Sequence, residues 1–113
     1  MVEKIKDTLI KTYNATVEEY VKHEFVNPSM EQHYKKFLSL IKKNSKILDV
    51  GCGPGQASKK FADLSNDVIG IDLSEKMIEF AKNKVKNAKF FVMDVEDIKI
   101  NEKFDAIWAA FIL

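Results

Sequence analysis

Cysteine is almost absent from this chain of 113 residues, and the single one, Cys52, cannot form an internal disulfide. A disulfide-built fold is excluded, and a reducing compartment, the cytoplasm, is the expected location. Long apolar runs are missing too. No stretch of the sequence approaches the roughly 18 consecutive apolar residues that a membrane-spanning helix needs. The first residues, Met1-Val2-Glu3-Lys4-Ile5-Lys6-Asp7, mix acids with bases and lack the apolar segment of a signal peptide. An excess of one charge is also lacking. The formal net charge is +1, which gives no drive toward nucleic acid or a membrane surface. Histidine is scarce: His23 and His33 have no partner at metal-ligand spacing, so no metal site is expected. No nucleophile with an attendant base is visible, and the catalytic residues stay unassigned.

What is present organises itself around residues 46–78. Lys46-Ile47-Leu48-Asp49-Val50 reads as a buried strand, and Gly51-Cys52-Gly53-Pro54-Gly55 as a glycine turn. A helical run follows, and then Val68-Ile69-Gly70-Ile71-Asp72, a second buried strand that ends on an acid. This is the layout of a nucleotide-type cofactor site at the carboxyl end of a parallel sheet. Glycine in the turn permits positive φ and close approach of a ligand to the backbone. The helix expected to start at Gln56 directs unpaired N–H groups and a partial positive charge at that ligand. Asp72 lies 21 positions after Gly51, about the spacing at which a carboxylate accepts hydrogen bonds from ribose hydroxyls. The dinucleotide fingerprint, however, is G-x-G-x-x-G or G-x-G-x-x-A. Here the third glycine comes one residue early, and Ala57 does not repair the spacing.

The phrase Leu48-Asp49-Val50-Gly51-Cys52-Gly53-Pro54-Gly55 resembles motif I of the class I S-adenosylmethionine-dependent methyltransferases. Three further stretches match in the order that family has them. Ile69-Gly70-Ile71-Asp72-Leu73-Ser74, with Met77, resembles its second strand and following helix. Phe90-Phe91-Val92-Met93-Asp94-Val95 resembles its third strand with the adenine-site acid, and Phe104-Asp105-Ala106-Ile107-Trp108-Ala109 its fourth. The resemblance implies an α/β fold, a Rossmann-like doubly wound parallel sheet of order 3-2-1-4 under an amino-terminal helical cap. It implies S-adenosylmethionine as cofactor and a small-molecule methyl acceptor as substrate, with no nucleic-acid or membrane partner. Asp49 and the backbone of Gly51, Cys52 and Gly53 would serve the ammonium side, with Pro54, Gly55 and Gln56 completing the loop. Bracing of the loop is the alternative for Asp49. Asp72 would take the ribose diol; capping the next helix is its alternative. Leu73 and Met77 would touch the adenine face or be plain core. Asp94 would accept from the adenine amino group beside the backbone of Met93 and Val95, with Glu96 and Asp97 as alternatives; Ala109 would leave room near the sulfonium or simply let helices approach. Tyr13 and Tyr20 in the cap would lie against the ligand or pack in helix cores. Cys52 reads as a small apolar filler.

In chain order, helices are expected over residues 2–13, from Thr16 to about Phe25, and again after Asn27 or Ser29. The last carries Met30, Tyr34, Phe37, Leu38 and Ile41 on one face and ends on Lys42-Lys43. Strands are expected over 46–50, 67–71, 89–93 and 104–112. Between them come a helix over 56–65, with Ala57, Phe61 and Leu64 inward, and one capped by Ser74, with Met77, Ile78, Ala81 and Val85 inward. The division is a cap over 1–44 and a cofactor-binding part over 45–113. The sequence ends on Phe111-Ile112-Leu113 with no polar turn. It therefore reads as truncated after strand four of a seven-stranded fold; a complete small domain is the alternative. An apolar fourth strand at a sheet edge invites pairing with another chain, so self-association is expected. Two readings compete with the enzyme: a nicotinamide-binding oxidoreductase domain and a non-catalytic binding fragment.

Overall fold

The computed structural model describes residues 30–109. The expected first two helices, Tyr13, Tyr20, His23, the caps Asn27 and Ser29, and residues 110–113 lie outside them. In order, the elements are α1 (Glu31–Ser39), β1 (Lys46–Val50), α2 (Gln56–Asp63), β2 (Asp67–Asp72), α3 (Glu75–Lys84), β3 (Lys89–Val92) and β4 (Ala106–Trp108). A short 3-10 turn, Val95–Asp97, follows β3. The four strands are parallel and run in the order β3-β2-β1-β4, which is the expected sheet.

Side chains alternate across a strand, so each strand presents two faces. Ile47 and Val68 point to the face on which α1 and α2 lie, where they join Tyr34, Ala57, Phe61, Ala62 and Trp108. Phe61, Tyr34, Phe37 and Trp108 form a ring cluster with centroids 5.1–5.6 Å apart, a spacing at which tilted and edge-to-face aromatic pairs are favourable. On the same face α3 buries Ile78, Ala81 and Val85 against Cys52 and Phe90. Leu48, Val50, Ile69 and Ile71 point the other way and pack with Met93, Ile100 and Phe104 of the β3–β4 connection. The described helices thus share one face, and the crossover to β4 runs over the opposite one.

One close approach is decided by a glycine. A Cβ on Gly70 would sit 2.7 Å from Cδ1 of Phe90 and 3.0 Å from Cβ of Cys52. The bare backbone in mid-strand lets the Phe90 ring lie flush on β2. The strand ends are tied by polar groups. Asn66 Oδ1 accepts from Ser45 N at 2.9 Å while its Nδ2 donates to Phe61 O at 3.0 Å, joining the end of α2 to the start of β1. Asp105 accepts from Lys46 N through Oδ2 at 2.8 Å, and its own N–H donates to Lys46 O at 2.8 Å, which docks β4 beside β1.

Several boundaries differ from expectation. The residue before α1 is Met30, with no side-chain cap, and α1 ends at Ser39, so Lys42 and Lys43 lie beyond its last turn, where Lys36 stands. α2 stops at Asp63; Leu64 is its C-cap and Ser65 takes a positive φ of 69°. Leu64 therefore swings outward and is 53% exposed, contrary to its expected inward place. β2 runs one residue further than expected, to Asp72, and β3 one residue less, to Val92. β4 begins at Ala106, two residues later than expected, because Asp105 is spent on the Lys46 backbone, and Ala109 lies past its end. α3 agrees: Ser74 caps it by accepting from Met77 N at 3.2 Å, and Met77, Ile78, Ala81 and Val85 are all buried.

Candidate functional site

Because the strands are parallel, their carboxyl ends share one edge of the sheet. From β1 the chain steps outward to β2 and β3, then returns to place β4 on the other side of β1. The crevice outside the carboxyl ends at such a reversal is where open α/β sheets bind ligands. The residues there are Gly51–Gly55 after β1, Leu73 and Ser74 after β2, Met93–Val95 after β3 and Ala109 after β4.

The turn after β1 is left-handed at Gly51, Gly53 and Gly55, with φ of 69°, 54° and 93°. The N–H groups of Gly51 and Cys52 both donate to Ile71 O at 2.9 Å, which pins the turn to the end of β2. At Gly55 a side chain would be strained by φ and crowded as well, with a Cβ 3.2 Å from both Ala81 Cβ and Val85 Cγ2. This glycine lets α3 press directly on the turn. Pro54 is fully buried. Cys52 is buried in the α3 cluster. Burial, with the nearby Asp49 and Asp72 carboxylates, pushes its thiol well above the ordinary range. Its place in that cluster is that of a small apolar filler.

Asp72 binds two loops at once. Its Oδ2 accepts from Gly53 N at 2.9 Å, and its Oδ1 from Ser74 N at 2.9 Å. Burial raises its pKa, with those backbone donors opposing the rise. The Leu73 N–H is a third backbone donor to this carboxylate, and with two acceptor sites on each oxygen it keeps capacity for a further donor. The backbone carbonyl of Asp72 accepts from Met93 N at 3.0 Å, which draws the exit of β3 to the same place. The Asp49 carboxyl is 2% exposed. Its Oδ2 accepts from Ser58 Oγ, in the first turn of α2, at 2.7 Å. Burial drives its pKa up to about 7; the hydroxyl and the backbone N–H of Ser58 oppose this, and the Asp72 charge adds to it. Among the described residues neither carboxylate is in an ion pair.

The remaining expected residues separate into edge and interior. Gln56 opens α2, half-buried beside the turn, and Leu73 and Met93 are likewise half-buried. Asp94 Oδ1 accepts from Glu96 N at 2.9 Å and so starts the 3-10 turn. Val95 and Ala109 are exposed. Met77 has no exposed surface, which makes it core, the second of its two expected roles. Tyr13 and Tyr20 lie outside the described residues. Ser58 was not anticipated. Its signal was a hydroxyl in the inward face of α2, among Ala57, Phe61 and Ala62. Among the described residues no cluster of metal-ligating side chains occurs. His33 lies exposed on α1.

Comparison with known proteins agrees with this geometry. A family model described as "Methyltransferase domain" matches residues 47–113. The ubiquinone biosynthesis O-methyltransferase of Pelagibacter ubique is 44% identical over 69 residues, 58% of this chain and 29% of that protein. The malonyl-[acyl-carrier protein] O-methyltransferase of Acetivibrio thermocellus is 37% identical over 65 residues, 54% of this chain and 23% of its own. Among solved structures, the TehB-like SAM-dependent methyltransferase of Corynebacterium glutamicum superposes with a TM-score of 0.73 at 28% identity, covering 86% of this chain and 55% of that one. The chain thus spans well under half the length of these curated relatives, 29% and 23%. Sheet order, glycine turn and family model agree, and this chain belongs to the methyltransferase domain family.

Proposed function

We propose that this chain carries the S-adenosylmethionine site of a methyltransferase that acts on a small-molecule acceptor. The observation that carries this reading is the pair Asp49 and Asp72. Two carboxylates stand at adjacent strand ends beside a left-handed glycine turn, with no cation of the described chain to match them. A ligand with a cationic end and a vicinal diol meets both needs. S-adenosylmethionine offers an ammonium for Asp49 and ribose hydroxyls for the Asp72 carboxylate. The residues fit that cofactor without a phosphate cradle, since it has no phosphates. The positive end of α2, which follows Gly53, Pro54 and Gly55 and opens at Gln56, suits its carboxylate. Asp94 would accept from the adenine amino group, with the backbone of Met93 and Val95 along the same edge and Leu73 against the ring. Ala109 would leave space near the methyl group, and Tyr13 and Tyr20, from a cap over residues 1–44, would close the other side.

When bound, the cofactor supplies a methyl group on a sulfonium, and transfer is a direct displacement. The task left to the chain is to hold donor and acceptor in line, where proximity and orientation dominate. The names of the relatives, a ubiquinone biosynthesis O-methyltransferase and a malonyl-[acyl-carrier protein] O-methyltransferase, support an acceptor outside nucleic acid. The lone cysteine supports a cytoplasmic location. β4 is the outer strand on its side among the described residues, and Ile107 on it is 60% exposed. Self-association through that edge is part of the proposal. Sedimentation velocity should show concentration-dependent oligomers; a monomer at every concentration would remove this part.

Equilibrium dialysis against methyl-labelled S-adenosylmethionine tests the cofactor reading. Retained label that S-adenosylhomocysteine displaces and NAD does not is the expected result. Retention of NAD with no retention of S-adenosylmethionine would support the nicotinamide-binding alternative instead.

A further inference from the structure

Asp49 is a carboxyl group with almost no water, and its donors are neutral groups of one residue. It is 2% exposed, and Ser58, itself fully buried, serves it through its hydroxyl at 2.7 Å and through its backbone N–H. Among the described residues the groups packed around it supply no counter-charge. β2 contributes another carboxylate, Asp72, and the glycine turn a buried thiol, Cys52. On β4 the register partner is Trp108, against which α1 packs Tyr34. The lysines of α2 are committed elsewhere, Lys59 to Asp63 at 2.6 Å and Lys60 to Glu31 at 2.9 Å. A buried carboxylate without a cation holds its proton instead.

We propose that Ser58 is a positioning residue of the ligand site, and that the Asp49–Ser58 pair makes uptake of a cationic ligand proton-linked. Asp49 keeps its proton while no cation is present and releases it to solvent as the ligand's ammonium arrives. This rests on the cofactor reading above. The raised pKa of Asp49, about 7, is in keeping with it and sets the pH range in which the linkage is visible. The hydroxyl of Ser58 has two parts in this. It holds the carboxyl against the first turn of α2, and it favours the charged form, so it lowers the pH at which the exchange occurs.

The test is calorimetric titration of the chain with S-adenosylhomocysteine, which keeps the ammonium, at three pH values in buffers of different ionisation enthalpy. The dependence of heat on buffer counts the protons released. The expected release is about 0.9 proton at pH 6, about 0.5 at pH 7 and about 0.1 at pH 8. Affinity should rise about tenfold over the same range. Ser58→Ala should shift the release profile to higher pH, and Ser58→Thr should return it toward the native position. A purely structural Ser58 would change affinity without moving that profile. Binding with no proton exchange between pH 6 and 8 would overturn this proposal and leave the cofactor reading standing. No binding by calorimetry or dialysis would overturn both. The native chain alone decides the linkage, so a variant that fails to fold does not protect it.

Discussion

Asp49→Asn replaces a buried acid by an isosteric amide that can still accept from Ser58, and it removes one ionisation. The consequence for stability has a definite sign. In the folded chain the pKa of Asp49 is raised from 3.8 to about 7, so the folded state binds the proton more tightly than the unfolded one. The stability this contributes is fully present below about pH 4 and is lost as pH rises through 7. The span corresponds to about 4 kcal/mol in total, at about 1.4 kcal/mol per pH unit. Asp49 is interior, so solvent screening takes little from that figure. Other shifted groups, such as Asp63, Glu102 and Asp105, act equally in both proteins and cancel in the comparison. Urea unfolding followed by fluorescence of Trp108, which sits in the aromatic cluster with Tyr34, Phe37 and Phe61, gives the assay. Between pH 5 and 8 the variant should gain about 2.5 kcal/mol relative to the native chain, on top of any constant offset from the amide. A difference that stays flat across this range would refute the reasoning, because it would mean that Asp49 is ionised throughout.

Gly70→Ala places a methyl group 2.7 Å from the Phe90 ring and should cost about 1–3 kcal/mol by overpacking. In chemical denaturation, Phe90→Leu in the same chain should recover part of that loss. Ser74→Ala removes the acceptor for Met77 N and should lower stability by about 1 kcal/mol. It should also loosen the amides at the start of α3 in hydrogen exchange; unchanged protection there would count against the cap.

The sheet was legible in the sequence because its signals are local. Ile47-Leu48 and Val68-Ile69 are apolar runs of strand length, and the three clustered glycines mark a turn that only positive φ can make. Ser74 was legible as a cap for the same reason: hydroxyl and amide are three residues apart. What escaped is tertiary. The fit of Phe90 on Gly70 joins residues 20 apart, and no spacing rule connects them. Ser58 reaches Asp49 only because α2 folds back over β1. Leu64 satisfies helical periodicity, yet the helix ends before it and turns it outward. Lys42 and Lys43 look like a helix terminus, but the preceding turn has already closed at Leu40. Asp72 shows the limit from the other side. Position alone made it a ligand group, whereas its bonds from the Gly53 and Ser74 backbone make it also the clasp between two loops.

That double role makes Asp72 the point at which the account is most exposed. Calorimetric titration with S-adenosylhomocysteine at pH 8, comparing the native chain with Asp72→Ala, is the direct measurement. The account predicts saturable binding by the native chain and at least a tenfold loss in the variant, since a charge-assisted hydrogen bond contributes about 1.5–3 kcal/mol. Circular dichroism should show the variant still folded. Equal affinity in the two proteins would contradict the assignment of the site, and the absence of binding by the folded native chain would contradict the cofactor itself.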